Sequence, residues 1–309
     1  MRYNNLGATG IQVSAVSLGT VALGVDYGIR VPGHTGIPSA DDAVALLRRA
    51  ATAGISLFDT APAYGASEQL LGNALDGMTG QLLATKVSLP VDGSGSAVVA
   101  AVEEQVLKSL RALRRDVVDI VQMHNVTQTE LRDPFVRTAL VTLKQRGDAR
   151  FIGASVYGEE DALAAIDTGW VDVIQIAYNI FDQRMGERVF AAAGNAGVGV
   201  VVRSALLKGA LTPLAQWLPD DLAPLRDAVA ATVERLSGSW DLLPEFAIRF
   251  CLSQPNASSV LVGIRDVSEL KLLIDAAAKG PLPAEELRIA SELALDDEAL
   301  IDPRYWDIP

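Results

Sequence analysis

Four side chains in the first 124 residues have types and spacing suited to moving a proton. Asp59 closes the apolar run Ile55–Asp59, Lys86 closes Leu82–Lys86, and His124 directly follows Val117–Met123. Tyr64 lies five residues beyond Asp59 in the loop Thr60-Ala61-Pro62-Ala63-Tyr64-Gly65. A phenol titrates near pH 10, so at neutrality it is a weak proton donor. An adjacent ammonium stabilises the phenolate and makes the donor stronger, and a carboxylate keeps that ammonium charged when it is desolvated. An imidazole adds a hydrogen bond to the reacting oxygen and, depending on its protonation, a relay. Such a set protonates an oxyanion formed when hydride reaches a carbonyl. None of the four is a hydride donor, so an organic carrier, a nicotinamide, must supply it.

These residues converge only if their elements form a common rim. Apolar runs at Val13–Gly19, Ile55–Asp59, Leu82–Lys86, Val117–Met123, Phe151–Ser155, Val171–Ile176, Val198–Val202 and Ser259–Val262 read as strands. Helical stretches separate them, among them Ala40–Ala53 behind Ser39 and before Gly54, Ser67–Leu75, Ser96–Leu113 and Pro134–Arg146. Repeated strand–helix units indicate parallel strands. An open doubly wound sheet would carry a G-x-G-x-x-G turn after its first strand, and none is present. Eight units in 309 residues therefore predict a (β/α)8 TIM barrel, with residues 1–309 as a single domain. Met1–Gln12, turning at Leu6-Gly7-Ala8-Thr9-Gly10, predicts an N-terminal β-hairpin that closes the barrel floor. Thr20–Pro38 and Ser204–Leu243 are long connections after strands, at the C-terminal face where barrel chemistry occurs.

Composition narrows the partners. The formal net charge is −12, half the residues are hydrophobic and 21% are charged, so a folded core is expected and neither nucleic acid nor a membrane is a natural partner. One cysteine, Cys251, and two histidines, His34 and His124, leave no basis for a metal cage. No leader and no long apolar run are visible, so a cytoplasmic location is expected.

Phe58-Asp59-Thr60-Ala61-Pro62-Ala63-Tyr64-Gly65-Ala66-Ser67-Glu68 resembles the signature of the aldo-keto reductase family around its catalytic Asp and Tyr. Ala84-Thr85-Lys86, Leu107–Leu113 with Val118–His124, Gln175-Ile176-Ala177-Tyr178-Asn179, Arg203-Ser204-Ala205-Leu206 and Val262-Gly263-Ile264-Arg265-Asp266 resemble its further motifs in the right order. The resemblance implies that Tyr64 is the general acid/base, tuned by Lys86 and Asp59, and that His124 orients the carbonyl. It implies that Ser155 and Gln175 bond the nicotinamide carboxamide and that Gly19 and Thr20 line the cofactor. Ser204, Leu206, Lys208, Gly263 and Arg265 join the expected cofactor set. Arg203 stands where many members have a ring-stacking tyrosine, and a guanidinium plane can also stack. Ser155 is followed by Val156-Tyr157 instead of the common Asn. Leu272 and Leu273 replace an acid–asparagine pair that holds adenine in many members.

The resemblance makes NADPH/NADP the expected cofactor, with NADH possible and Arg265 and Lys271 as candidates for a 2′-phosphate. The expected substrate is a small carbonyl compound or sugar. Tyr27, His34, Asn125, Tyr157, Trp217, Tyr305 and Trp306 are candidate pocket residues. Two other readings remain open: a barrel aldolase with Lys86 as Schiff-base nucleophile, and a cofactor-binding regulatory or scaffold subunit of the same fold.

Overall fold

The computed structural model describes residues 1–32, 36–90, 95–236 and 238–308. His34 lies outside the described residues. Two short strands, β1 (Tyr3–Asn5) and β2 (Gln12–Ser14), pair antiparallel as the expected hairpin. Eight parallel strands follow: β3 (Val16–Gly19), β4 (Leu57–Asp59), β5 (Leu82–Val87), β6 (Val118–Met123), β7 (Ala149–Val156), β8 (Val173–Ala177), β9 (Gly199–Arg203) and β10 (Ser259–Gly263). They close in chain order, with β10 hydrogen-bonded to both β9 and β3. Helices run between them on the outside, and their apolar stripes form one core with the outward strand residues. A second, smaller core fills the barrel interior.

The run expected as one strand, Val13–Gly19, is divided at Ala15. Ser14 ends the hairpin and exchanges hydrogen bonds with Ser56, its Nα donating to Ser56 Oγ at 2.8 Å and its Oγ accepting from Ser56 Nα at 2.9 Å. Those side-chain bonds satisfy backbone groups that a continuous strand would have paired. The hairpin turn carries the fully buried Leu6 to the interior core beside Val13, Leu57, Ala84, Ile120, Val173 and Val201. Gly7 has φ +53°, and a Cβ there would lie 2.4 Å from Gly197 O and Gly199 N. Only glycine fits this seal against the start of β9.

Local signals set the helix ends. In helix Pro134–Arg146, Asp133 accepts from the Phe135 amide, Pro134 stands at the first position, and Gly147 stops it in the left-handed region at φ 84°. The segment Ser204–Leu243, expected as a long connection, contains four 3₁₀ turns among its described residues and a regular helix, Ala223–Arg235. Leu225, Val229 and Val233 form the buried stripe of that helix at four-residue spacing, opened by Pro224 in its first turn.

Candidate functional site

Period-two alternation along the strands builds the site. Leu57, Ala84, Ile120, Val173 and Val201 face inward at the floor of the barrel. Two residues further along each strand, the inward positions are Asp59, Lys86, Gln122, Gln175 and Arg203. The barrel thus changes from an apolar plug to a polar layer in one step toward its C-terminal face.

Asp59 and Lys86 are almost fully buried and form an ion pair through Asp59 Oδ1. Lys86 Nζ also donates to Thr60 O at 3.1 Å. The other carboxylate oxygen, Asp59 Oδ2, accepts from Gln175 Nε2 at 2.8 Å and Gln122 Nε2 at 3.4 Å. Burial alone would push the Lys86 pKa down, but the charge of Asp59, then Tyr64, outweighs it and leaves the pKa raised. Lys86 is therefore held as an ammonium. Its Nζ lies 4.9 Å from the centre of the Tyr64 ring. The Tyr64 and His124 rings meet edge to face, 5.8 Å apart at 83°. Burial first, then the charges of Lys86 and Arg203, pulls the His124 pKa down to about 4. At neutral pH His124 is an uncharged imidazole with one N–H to donate.

These four residues are the ones the sequence singled out, and the structure brings them together. Gln122, which was not singled out, belongs to the same layer. Its spacing of two from the inward Ile120 was the signal for it.

A cleft of about 540 Å³ extends from this cluster over the C-terminal face. Gly19, Thr20, Asp59, Tyr64, His124, Ser155, Gln175, Arg203, Ser204, Leu206, Lys208, Gly263 and Arg265 all line it, as do Tyr27, Asn125 and Tyr157. Asn125, Ser204 and Lys208 line it with positive φ, at 55°, 59° and 53°. Such backbone strain in non-glycine residues concentrates at functional sites. Tyr27 is 37% exposed as a residue, yet burial of its phenol, then the charge of Tyr157, pushes its pKa up to about 12.

Three aromatic expectations are corrected. Trp217 is 52% exposed on a 3₁₀ turn and does not line the cleft; Pro213 and Leu214 of the same turn do. Trp306 is buried away from the cleft and donates its indole N–H to Ala299 O at 2.9 Å, packing the C-terminal segment onto the core. Tyr305, at 62% exposed, is likewise outside the cleft. The C-terminal segment contributes through a different residue. The guanidinium carbons of Arg203 and Arg304 lie 3.9 Å and 3.8 Å from the Tyr157 ring centre. Arg304 is fixed by the buried Asp302 through both carboxylate oxygens.

The cations expected to meet an anionic ligand differ in their engagements. Arg203 donates to Ser204 Oγ and Val156 O, and its buried Nε has no partner. Lys208 Nζ donates to Ile308 O at 2.7 Å, and burial lowers its pKa. Arg265 is bonded to Glu269, which also lines the cleft. Lys271 is 75% exposed, paired with Asp275, and outside the cleft, so its expected place beside a 2′-phosphate is not where the side chain lies. Leu272 and Leu273 do line the cleft, giving its far end an apolar wall. Among the described residues no group of three or more His, Cys, Asp or Glu side chains could hold a metal ion, and no helix is long and apolar enough to cross a membrane.

Comparison with known proteins gives a consistent set of likenesses. Residues 15–294 match the model of the aldo/keto reductase family. The chain is 32% identical over 314 residues to L-galactose dehydrogenase of Arabidopsis thaliana, covering 96% of this chain and 93% of that protein. It is 29% identical over 231 residues to the NADH-specific methylglyoxal reductase of Escherichia coli, covering 69% of each. Among solved structures, an aldo-keto reductase of Bacillus halodurans in its holo form superposes with a TM-score of 0.79 at 26% identity, covering 96% of this chain and 97% of the other.

Proposed function

The chain belongs to the aldo/keto reductase family, and on that premise we propose that it is an oxidoreductase that interconverts a carbonyl and an alcohol with a nicotinamide dinucleotide. The observation that carries the proposal is the buried Asp59–Lys86 pair directly beneath Tyr64 and His124 at the inner end of one long cleft. The cleft residues suit a dinucleotide: Gly19 and Gly263 keep its rim open, Ser155 and Gln175 offer polar atoms beside the cluster, and Arg203 has an unpartnered buried N–H. When bound, the dinucleotide supplies or takes the hydride.

The rest is the work of side chains. Tyr64 donates its phenolic proton to the oxyanion that develops on a carbonyl oxygen, and takes it back in the oxidative direction. The Lys86 ammonium stabilises the phenolate left behind. Asp59 keeps Lys86 charged, and Gln175 and Gln122 hold Asp59 in place from the other side. His124, neutral, donates a hydrogen bond to the same carbonyl oxygen and fixes its direction. A protonated, carboxylate-paired Lys86 has no free electron pair for a carbonyl carbon, which argues against a Schiff-base aldolase. An intact proton-transfer cluster likewise argues against a purely regulatory subunit.

The similarity to L-galactose dehydrogenase and to a methylglyoxal reductase points to sugars and small polar carbonyl compounds as the substrate class. The polar groups of Tyr27, Asn125 and Tyr157 in the cleft are in keeping with that class. Residues 1–309 are read as one domain in the cytoplasm. The test is a panel of aldoses, small aldehydes and their alcohols, assayed in both directions by reduced-nicotinamide absorbance. Turnover of at least one aldose or small aldehyde is expected. Binding of a dinucleotide with no turnover of any carbonyl or alcohol would favour the regulatory reading instead.

A further inference from the structure

We propose that the far end of the cleft selects an unphosphorylated adenosine ribose, NAD(H) over NADP(H), and that Glu269 makes the selection. The inference rests on the dinucleotide reading above and names which dinucleotide. An exposed helix N-terminus normally attracts phosphate because its first amides point outward unpaired. The helix Val267–Lys279 begins at this end of the cleft, and the amides of Ser268 and Glu269 in its first turn are already taken. Asp266 Oδ1 accepts from the Ser268 and Glu269 amides at 2.8 and 2.9 Å, and Glu269 Oε2 accepts from the Arg265 amide at 2.6 Å. Two carboxylates of the chain itself fill the place of an anion.

The cation is occupied as well. Arg265 Nη2 donates to Glu269 Oε1 at 3.2 Å, so one glutamate engages both the backbone and the guanidinium of Arg265. Arg265, Asp266 and Glu269 together carry a formal charge of about −1, and Lys271 is turned away onto Asp275. A 2′-phosphate monoester carries close to two negative charges at neutrality. To reach Arg265 it must displace Glu269 and then lie against the released carboxylate. A ribose diol meets the opposite situation. Its hydroxyls are donors, and a carboxylate at 37% side-chain exposure, with lone pairs to spare, is the acceptor that suits them. Acidic side chains read a ribose diol and arginines read a 2′-phosphate for the same reason in other dinucleotide folds.

Direct binding decides the matter without turnover. The intact chain is titrated with NADH and with NADPH by calorimetry. NADH is expected to bind at least tenfold tighter. Glu269→Gln removes the charge at nearly constant shape, and it is expected to reduce the NADH:NADPH preference at least fivefold, mainly by strengthening NADPH. NADPH binding the unmodified chain as tightly as NADH would overturn the proposal, as would an unchanged preference in Glu269→Gln. The unmodified chain decides the first point even if the variant does not fold. Binding of neither dinucleotide is a distinct result, and it would remove the oxidoreductase reading itself.

Discussion

Asp59 receives Lys86, Gln175 and Gln122 at one buried carboxylate, and that convergence places a fixed positive charge under Tyr64. Burial, reinforced by that charge and by Arg203, keeps the neighbouring His124 neutral. A stability effect follows, because His124 titrates near 6.5 when unfolded and near 4 when folded. Between these values the unfolded chain binds more protons, so stability is fully present above about pH 6.5 and falls as pH drops toward 4. The full effect is on the order of 3 kcal/mol in this window. Denaturant melts of the unmodified chain and His124→Gln at pH 7 and pH 4.5 measure it, and the variant is expected to lose less stability on acidification. At this scale the sequence was a good guide to residues at strand ends, since position alone selects Asp59, Lys86 and His124. It was a poorer guide to pairing. Arg265 and Glu269 stand four apart, the spacing of a helical ion pair, and that pairing engages the cation that the sequence offered to a 2′-phosphate.

Elements position Tyr64 through close backbone approach. The short helix Val21–Gly24 after β3 packs against the loop that carries Tyr64. A Cβ on Gly24 would lie 2.0 Å from Tyr64 O and 2.4 Å from Ser67 Oγ. Gly65 has φ +58°, and its Cβ would lie 2.4 Å from Gly24 O. Ser67 Oγ then ties the loop to Thr20 O at 2.7 Å. Gly24→Ala must push the two segments apart. Overpacking of this kind costs about 1–3 kcal/mol, and a displaced Tyr64 should lower kcat more than it changes dinucleotide affinity. Melting curves and steady-state kinetics on one preparation separate the two effects. The strands and most helices were legible from periodicity and caps. The helix Ala223–Arg235 was hidden among Pro213, Pro219 and Pro224, although its stripe of Leu225, Val229 and Val233 has helical spacing. The contact of Gly24 with Gly65 joins residues 41 positions apart, and local pattern carries no trace of it.

For the whole molecule, closure of β10 onto β3 brings the two ends of the barrel sequence to one rim. The C-terminal segment then reaches back over that rim. Arg304 packs on Tyr157, Ile308 O accepts from Lys208, and Arg184 bonds Glu298. Ending the chain after Asp296 removes all three contacts together with buried Ile301 and Trp306. The shortened protein is expected to melt at a lower temperature and to show a raised substrate KM, because Tyr157 loses one of its two guanidinium neighbours. Tryptophan position misled here: Trp306 holds the segment, while Arg304, an unremarked surface charge in the sequence, reaches the cleft wall. The net charge of −12 sets the remaining problem, since under the proposed function an anionic cofactor meets few local cations, Arg203 with its unpartnered Nε among the candidates. In the proposed function Tyr64 transfers the proton while the barrel holds the dinucleotide independently of it. Comparing Tyr64→Phe with the unmodified chain in parallel dinucleotide titrations and turnover assays tests it most directly. Dinucleotide affinity should change less than about threefold while turnover falls roughly 10²–10⁴-fold. Full turnover in Tyr64→Phe would contradict the claim.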